Sequence, residues 1–202
     1  MKTIHIILMV MIVPLLSFDT AKNTLSDAER AKAIDYLKST EADLFAAVKG
    51  LTPEQLNFKA NSESWSIAEC VEHITITEGS IFGIIEESLK DEADPSRRGE
   101  VKMTDEQIMA TIIDRSQKVK ARSDLEPTQK FGTYKETLDT YKKLRKEHID
   151  YVKKTDDDLR NHYFEFPFGV VDSYQVLVFL AGHSKRHILQ IEEVKANANF
   201  PK

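Results

Sequence analysis

Cysteine, proline and glycine are all scarce in this sequence of 202 residues, which has one Cys, six Pro and seven Gly. The single Cys70 excludes an internal disulfide and leaves the redox compartment undetermined. Because no stretch rich in Gly, Ser or Pro interrupts the middle of the chain, we find no linker between domains. Hydrophobic residues at 41% and charged residues at 30% predict one globular domain with a substantial core.

The sequence also lacks a basic stripe. The formal net charge is -5, and Lys and Arg alternate with Asp and Glu along the chain. A protein that follows a phosphate backbone needs clustered positive charge. The charge pattern therefore disfavours nucleic-acid binding.

A continuous apolar run long enough to span a membrane is missing as well. The apolar segment Ile4–Leu16 follows Lys2 and precedes a polar stretch, and it is shorter than the roughly 20 residues of a membrane-spanning helix. This pattern is typical of a secretory signal peptide, predicted here for residues 1–21, and favours export to the periplasm or the medium. Cleavage after Ser17 or after Ala21 fits equally. An uncleaved membrane tether or a buried N-terminal segment is the alternative.

Helix signals dominate the remaining sequence. Five segments begin with a residue that can cap free backbone N–H groups, followed three positions later by Glu or Gln. The predicted helices run from Ser26 to about Lys49, Ser66 to about Leu89, Thr104 to about Ala121, Thr133 to about Lys154 and Asp172 to about Ala196. The one stretch with alternating apolar residues, Tyr163–Val171, contains Pro and Gly and is predicted as an extended loop.

Each of the four long predicted helices carries an apolar stripe on about half of its circumference. Such stripes are buried most simply by packing against one another. The sequence therefore predicts an all-α fold, a four-helix bundle over residues 26–198, with the short Thr104 helix in a crossover connection.

Two histidines lie one turn apart on the last predicted helix. His183 and His187 are separated by about 40° around the helix and about 6 Å along it, close enough to bind one ion. The spacing also arises by chance, with both residues simply flanking a buried stripe. His73 lies at the border of the apolar stripe of the second long helix, as the pair does on the last. Three imidazoles at one rim of the core suit a divalent metal and leave room for water or substrate.

Two further residues on the Thr133 helix are candidates for a catalytic role. His148 lies near the centre of the apolar stripe, so a core histidine with an internal hydrogen bond is the first interpretation and a fourth ligand the second. Arg145, on the same face, either extends to the rim or binds a substrate carboxylate. His162, in a polar loop, is predicted to be solvated.

Three residues near the predicted ligands have two interpretations each. Cys70 is either a small buried residue or a soft ligand or nucleophile. Gln190 either orients His187 or faces water, and Thr77, one turn after His73, has the same ambiguity.

With these residues in place, the sequence resembles the DinB-like superfamily of small bacterial metal-binding four-helix bundles. The matching stretches are ESWSIAECVEHI, residues 63–74, and LAGHSKRHILQIEEV, residues 180–194. The resemblance extends over Ala28–Ala196. It implies that His73, His183 and His187 bind a Zn- or Ni-type ion, that homodimers are frequent among its members, and that some branches transfer a low-molecular-weight thiol. Those branches act in the cytoplasm, which disagrees with the export predicted here.

Three functional hypotheses follow. The first is a metal-dependent enzyme, hydrolytic or group-transferring, that acts on a small-molecule substrate. The second is a non-catalytic metal- or ligand-binding bundle, which would use the same ligands. The third is an unmetallated interaction bundle, which would leave the three imidazoles more than about 6 Å apart, too far for a shared ion.

Overall fold

The computed structural model describes residues 24–202, so the predicted signal peptide lies outside the described residues. Within this range there are six α-helices and one two-stranded sheet. The helices are α1 (Asp27–Val48), α2 (Pro53–Asn57), α3 (Ile67–Ser88), α4 (Asp105–Ile113), α5 (Tyr134–Lys154) and α6 (Ser173–Lys195). None of these helices is long and apolar enough to cross a membrane.

The four long helices begin where the sequence predicts. At the starts of α1, α3 and α5 the capping side chain accepts a hydrogen bond from the backbone N–H three residues later, and the Glu at that position accepts one in return. Asp172 caps α6 in the same way, accepting from the backbone N–H of Gln175 at 2.7 Å. These local bonds fix the register of each apolar stripe.

The four long helices form the predicted bundle. Both α1 and α3 pack against both α5 and α6, which places α1 and α3 at diagonal corners. The predicted stripes supply the core. Among their fully buried members are Leu37, Leu44, Ile67, Val71, Ile74, Ile85, Tyr141, Val152, Ala181 and Ile191. The crossover helix α4 packs on the outside of α6.

The crossover helix is shorter than predicted. It ends at Ile113 rather than near Ala121. Asp114 takes an extended conformation, and its carboxylate accepts hydrogen bonds from the backbone N–H and hydroxyl of Ser116 at 2.8 and 3.0 Å. Such a local turn competes with further helix. The guanidinium of Arg186 on α6 also donates to the carbonyls of Ile112 and Asp114, closing the helix end.

The prediction of an extended loop over residues 163–171 was wrong. The strands β1 (Tyr163–Phe166) and β2 (Gly169–Asp172) form an antiparallel hairpin in which Phe166 pairs with Gly169. Pro167 lies in the two-residue turn, where its missing N–H removes no ladder bond. Gly169 has a φ of 131°, a conformation open to glycine. Of the two residues that argued against a strand, Pro167 lies in the turn and Gly169 begins the second strand.

A buried ion pair connects all four long helices. Arg145 on α5 and Glu78 on α3 both have fully buried side chains, and Arg145 donates to the two carboxylate oxygens at 2.8 and 2.6 Å. The remaining guanidinium hydrogens are donated to the Leu37 carbonyl and the Thr40 hydroxyl of α1 and to the Ser184 hydroxyl of α6. All five donors are therefore used. Arg145 neither extends to the rim nor remains free for a substrate carboxylate.

His148 belongs to the same network. Its Nδ1 lies 2.8 Å from Glu78 Oε1, and its ring stacks on Phe82 at 3.8 Å between centroids. This is the internally bonded core histidine that the sequence favoured. Burial alone would raise the pKa of Glu78, but the charge of Arg145 and the hydrogen bond from His148 outweigh it and hold that pKa below its usual value.

Replacement of Arg145 by Met is expected to lower the free energy of unfolding by about 3–5 kcal/mol, because it leaves the Glu78 carboxylate buried without a counter-charge. Urea unfolding measures the change. Lys143→Met is the matched control, since the Lys143 side chain on the same helix is 75% exposed and surface changes stay within about 0.5 kcal/mol. Equal losses in the two variants would contradict a central role for the pair.

The network also predicts a pH dependence. Because the folded state lowers the pKa of Glu78 from 4.5, its contribution to stability is complete above that value and is lost as the pH falls through the lower, folded pKa. We therefore expect the unfolding free energy of Glu78→Gln to fall less steeply on acidification below pH 4.5 than that of the wild-type protein. Urea unfolding at several pH values tests this, and parallel curves would refute it.

Candidate metal centre

The three histidines predicted as ligands come together between α3 and α6. The ring centroids of His73 and His187 lie 4.4 Å apart, those of His183 and His187 4.6 Å, and those of His73 and His183 5.2 Å. One ring nitrogen from each residue lies within 4.8 Å of the others. The histidines are therefore close enough to share one ion, unlike the arrangement expected of an unmetallated bundle.

Hydrogen bonds fix which nitrogen of each ring is free. Nδ1 of His73 lies 2.7 Å from the Leu125 carbonyl, and Nδ1 of His187 lies 2.9 Å from Gln190 Oε1. Both partners are acceptors, so both Nδ1 atoms carry a proton and donate. In each ring Nε2 is then left as the lone-pair nitrogen, the form that binds a metal.

The tautomer of His183 follows from its contact with Thr77. Nδ1 of His183 lies 3.3 Å from the Thr77 hydroxyl oxygen. That hydroxyl already donates its proton to the His73 carbonyl at 2.7 Å, so its oxygen accepts from His183. All three rings thus present Nε2, and Thr77 connects two of the three ligand residues.

The surroundings keep the three rings uncharged. Loss of hydration lowers the pKa of His73, and of His187 to about 3, with His73 adding to the effect at His187. His183 keeps some solvent exposure but lies deep among protein atoms, and loss of hydration followed by the neighbouring His187 and His73 lowers its pKa well below the usual value. Neutral imidazoles bind a cation without first releasing a proton.

Gln190 is held in the orientation that His187 needs. Its Oε1 also accepts a hydrogen bond of 3.4 Å from Arg115, and the guanidinium of Arg115 forms a two-point ion pair with Glu193 at 2.6 and 2.7 Å. Both contacts keep the amide oxygen, rather than the amide nitrogen, directed at the donors. Of the two sequence interpretations of Gln190, orientation of His187 is the one the structure supports.

The segment that connects α4 and α5, residues 114–133, carries the acceptor for His73. Leu125 lies in a single 3₁₀ turn, Ser123–Leu125. The segment is attached to α3 close to Leu125. The buried carboxylate of Glu72 on α3 accepts hydrogen bonds from the backbone N–H groups of Thr128 and Lys130 at 3.1 and 2.7 Å. Sequence reasoning missed Leu125 because a backbone carbonyl in an irregular segment leaves no residue-type signal.

Other sequence candidates lie outside the centre. Cys70 is buried and is not one of the residues whose ligand atoms converge. Burial raises its pKa to about 12, so the thiol stays protonated and unreactive. His162 was expected to be solvated, and that expectation was wrong. It is buried where the hairpin meets the end of α3, with Nδ1 2.9 Å from the Ser88 carbonyl.

Comparison with known proteins agrees with this architecture. Residues 36–191 match the DinB superfamily. The chain belongs to the DinB superfamily. The uncharacterised protein YuaE of Bacillus subtilis is 30% identical over 152 residues, which cover 73% of this chain and 88% of YuaE. The family assignment made from the histidine motifs is thereby confirmed.

A solved structure has the same fold. YfiT from Bacillus subtilis superimposes with a TM-score of 0.57 at 19% identity, covering 85% of this chain and 89% of YfiT. YfiT is described as a probable metal-dependent hydrolase with an unusual four-helix bundle topology. At this level of identity the likeness establishes the fold alone, and it confirms the predicted bundle.

Replacement of Gln190 by Ala is expected to weaken zinc binding by about 10- to 100-fold, because His187 loses the acceptor that fixes its ring and tautomer. Competition with a chromophoric chelator measures the affinity. Leu189→Ala is the control, since Leu189 is the exposed neighbour of Gln190 on α6. If both variants bind zinc with equal affinity, Gln190 has no orienting role.

Proposed function

We propose that this protein is a metal-dependent hydrolase in which His73, His183 and His187 bind one divalent ion, Zn or Ni. The observation that carries the proposal is the tautomer arrangement: acceptors engage the three Nδ1 atoms, which leaves Nε2 as the free nitrogen of each ring, and each histidine offers a ring nitrogen within 4.8 Å of the others. A site built only to pack histidines has no need to leave the same nitrogen free in all three rings.

The separation of the rings fits such an ion. Zinc–nitrogen bonds of about 2.0–2.1 Å in tetrahedral geometry put the nitrogens about 3.4 Å apart. The ligand atoms of the three histidines lie within 4.8 Å of one another, which exceeds that separation by at most about 1.4 Å. Imidazole suits Zn and Ni among the common divalent ions, whereas Mg and Ca favour oxygen ligands.

The number of ligands supports a reactive site. Among the described residues, the group of converging ligand atoms comprises three histidines without a carboxylate or thiolate. Catalytic zinc sites commonly have three protein ligands and one open position, whereas structural sites have four. The chemistry that such an ion supplies when bound is that of a Lewis acid, which polarises a carbonyl or activates water.

The side chains around the site hold the histidines in place and do not transfer protons. Glu78 follows Thr77 on α3, but both of its carboxylate oxygens are occupied by Arg145 and His148. It is therefore not free to accept a proton from a nucleophile. The description of YfiT as a probable metal-dependent hydrolase favours hydrolysis over thiol transfer.

The first test is metal content. We expect the purified wild-type protein to contain about one equivalent of zinc or nickel, and His187→Ala to retain at least about tenfold less, because two imidazoles seldom hold the ion through purification. Elemental analysis by mass spectrometry measures it. His162→Gln is the control, since His162 lies outside the converging group. Equal metal content in wild type and His187→Ala contradicts the assignment.

The second part of the test is turnover. A panel of ester, amide and phosphoester substrates should reveal a hydrolysis that chelation abolishes and added metal restores. His187→Ala should lose that activity, and the control variant should keep it. If chelation lowers the melting temperature but no substrate is turned over, the protein is a non-catalytic metal-binding bundle instead.

A further inference from the structure

The metal centre opens to solvent beside His183. His73 and His187 are buried, with 3% and 8% of their surface exposed, whereas His183 is partly exposed. Trp65 packs against the other two rings, 4.7 Å from His73 and 6.0 Å from His187 between centroids. A molecule that reaches the free Nε2 atoms therefore approaches along the side on which His183 lies.

That side is lined by phenylalanine. Phe179 precedes His183 by one turn of α6, and the two rings are 6.0 Å apart with planes at 24°. Phe166, the last residue of β1, and Phe168, the second residue of the turn, lie 4.5 and 6.1 Å from Phe179 with planes at 21° and 20°. We call these three residues, Phe166, Phe168 and Phe179, the phenylalanine cluster.

The rings of the phenylalanine cluster share one orientation. Phe166 and Phe168 are 8° from parallel at 5.1 Å, and both are within about 21° of Phe179. A further flat ring stacks favourably on such rings in the same offset arrangement, at centroid separations of about 4.5–7 Å. An aliphatic partner would not need this common orientation.

All three residues of the cluster are partly exposed instead of buried in the core. The hairpin explains how Phe166 and Phe168 reach the surface, because the chain reverses at Pro167 and Phe168 before the second strand begins at the left-handed Gly169. Nonpolar surface left exposed beside convergent polar groups is typical of ligand recognition. The position of the cluster beside His183 identifies that ligand as the molecule bound at the metal.

We propose that the phenylalanine cluster is a substrate subsite, which binds an aromatic ring attached to the carbonyl group that is hydrolysed. The substrate class is then the esters and amides of aryl carboxylic acids. The 6.0 Å between the Phe179 and His183 rings allows a ring stacked on Phe179 and a carbonyl directed at the ion to belong to one small molecule. The proposal rests on the proposed function, because it requires an open position on a bound ion.

A pair of metal-binding probes tests the subsite. Acetohydroxamate and benzohydroxamate carry the same chelating group and differ in a methyl or a phenyl substituent. With the zinc-loaded full chain, calorimetry should show benzohydroxamate binding at least about tenfold more tightly, since a phenyl group adds buried area and ring stacking. Cyclohexanecarbohydroxamate, of similar size but not flat, should bind several-fold less tightly than benzohydroxamate.

Substitutions test whether the phenylalanine cluster causes the tighter binding of benzohydroxamate. In Phe168→Leu and Phe179→Leu the ratio of the two affinities should fall to about 2, because Leu keeps apolar surface but removes the stacking ring. The ratio is taken within each variant, so acetohydroxamate binding serves as the reference for an intact metal centre. Phe164→Leu is the control. Phe164 contacts Phe166 edge-on at 68° and lies outside the cluster, so the ratio should stay at the wild-type value.

The outcomes separate the two proposals. If acetohydroxamate does not bind the zinc-loaded wild-type protein, the bound ion has no open position and the proposed function is wrong as well. If acetohydroxamate binds but the phenyl group adds nothing, or the ratio is the same in Phe168→Leu, Phe179→Leu and Phe164→Leu, the subsite is overturned and the metal centre stands. Equal binding of the phenyl and cyclohexyl probes also overturns it.

Discussion

The fold depends on one buried ion pair. Glu78 and Arg145 are both inaccessible to solvent, and the donors of Arg145 reach α1, α3 and α6 from α5. Apolar stripes alone let helices slide and rotate against one another, because contacts between hydrophobic side chains have little direction. A guanidinium whose five hydrogens each have a fixed acceptor permits one arrangement of the helices. Since the pair lies one residue after Thr77 and contacts Ser184 beside His183, it also fixes the two helices that carry the metal ligands.

The helical framework was predictable because its signals are local. A capping residue and a Glu or Gln three positions later are adjacent in sequence and on the helix, so their pairing needs no knowledge of the fold. The hairpin was missed for the opposite reason: Pro and Gly weaken a strand when they lie within it, but here Pro167 lies in the turn and Gly169 begins the second strand. Only the partner strand distinguishes the two cases.

The grouping of the three candidate histidines was predictable, and their environment was not. The spacing of His183 and His187 and the border position of His73 follow from helix geometry. The acceptors that set the tautomers come from three different sources: a side chain on the same helix, a hydroxyl on the facing helix, and a carbonyl in the segment before α5. Arg145 shows the same limit, since nothing in its sequence surroundings indicates a partner 67 positions away.

Trp65 gives the metal centre a property of practical value. It is the single tryptophan of the chain, and its indole ring lies 4.7 Å from the imidazole of His73. Emission excited where only tryptophan absorbs therefore originates beside the ligands, without a background from other indoles. Occupancy of the site and changes in the rings around it therefore alter the fluorescence of Trp65. Binding there is observable in real time without a label.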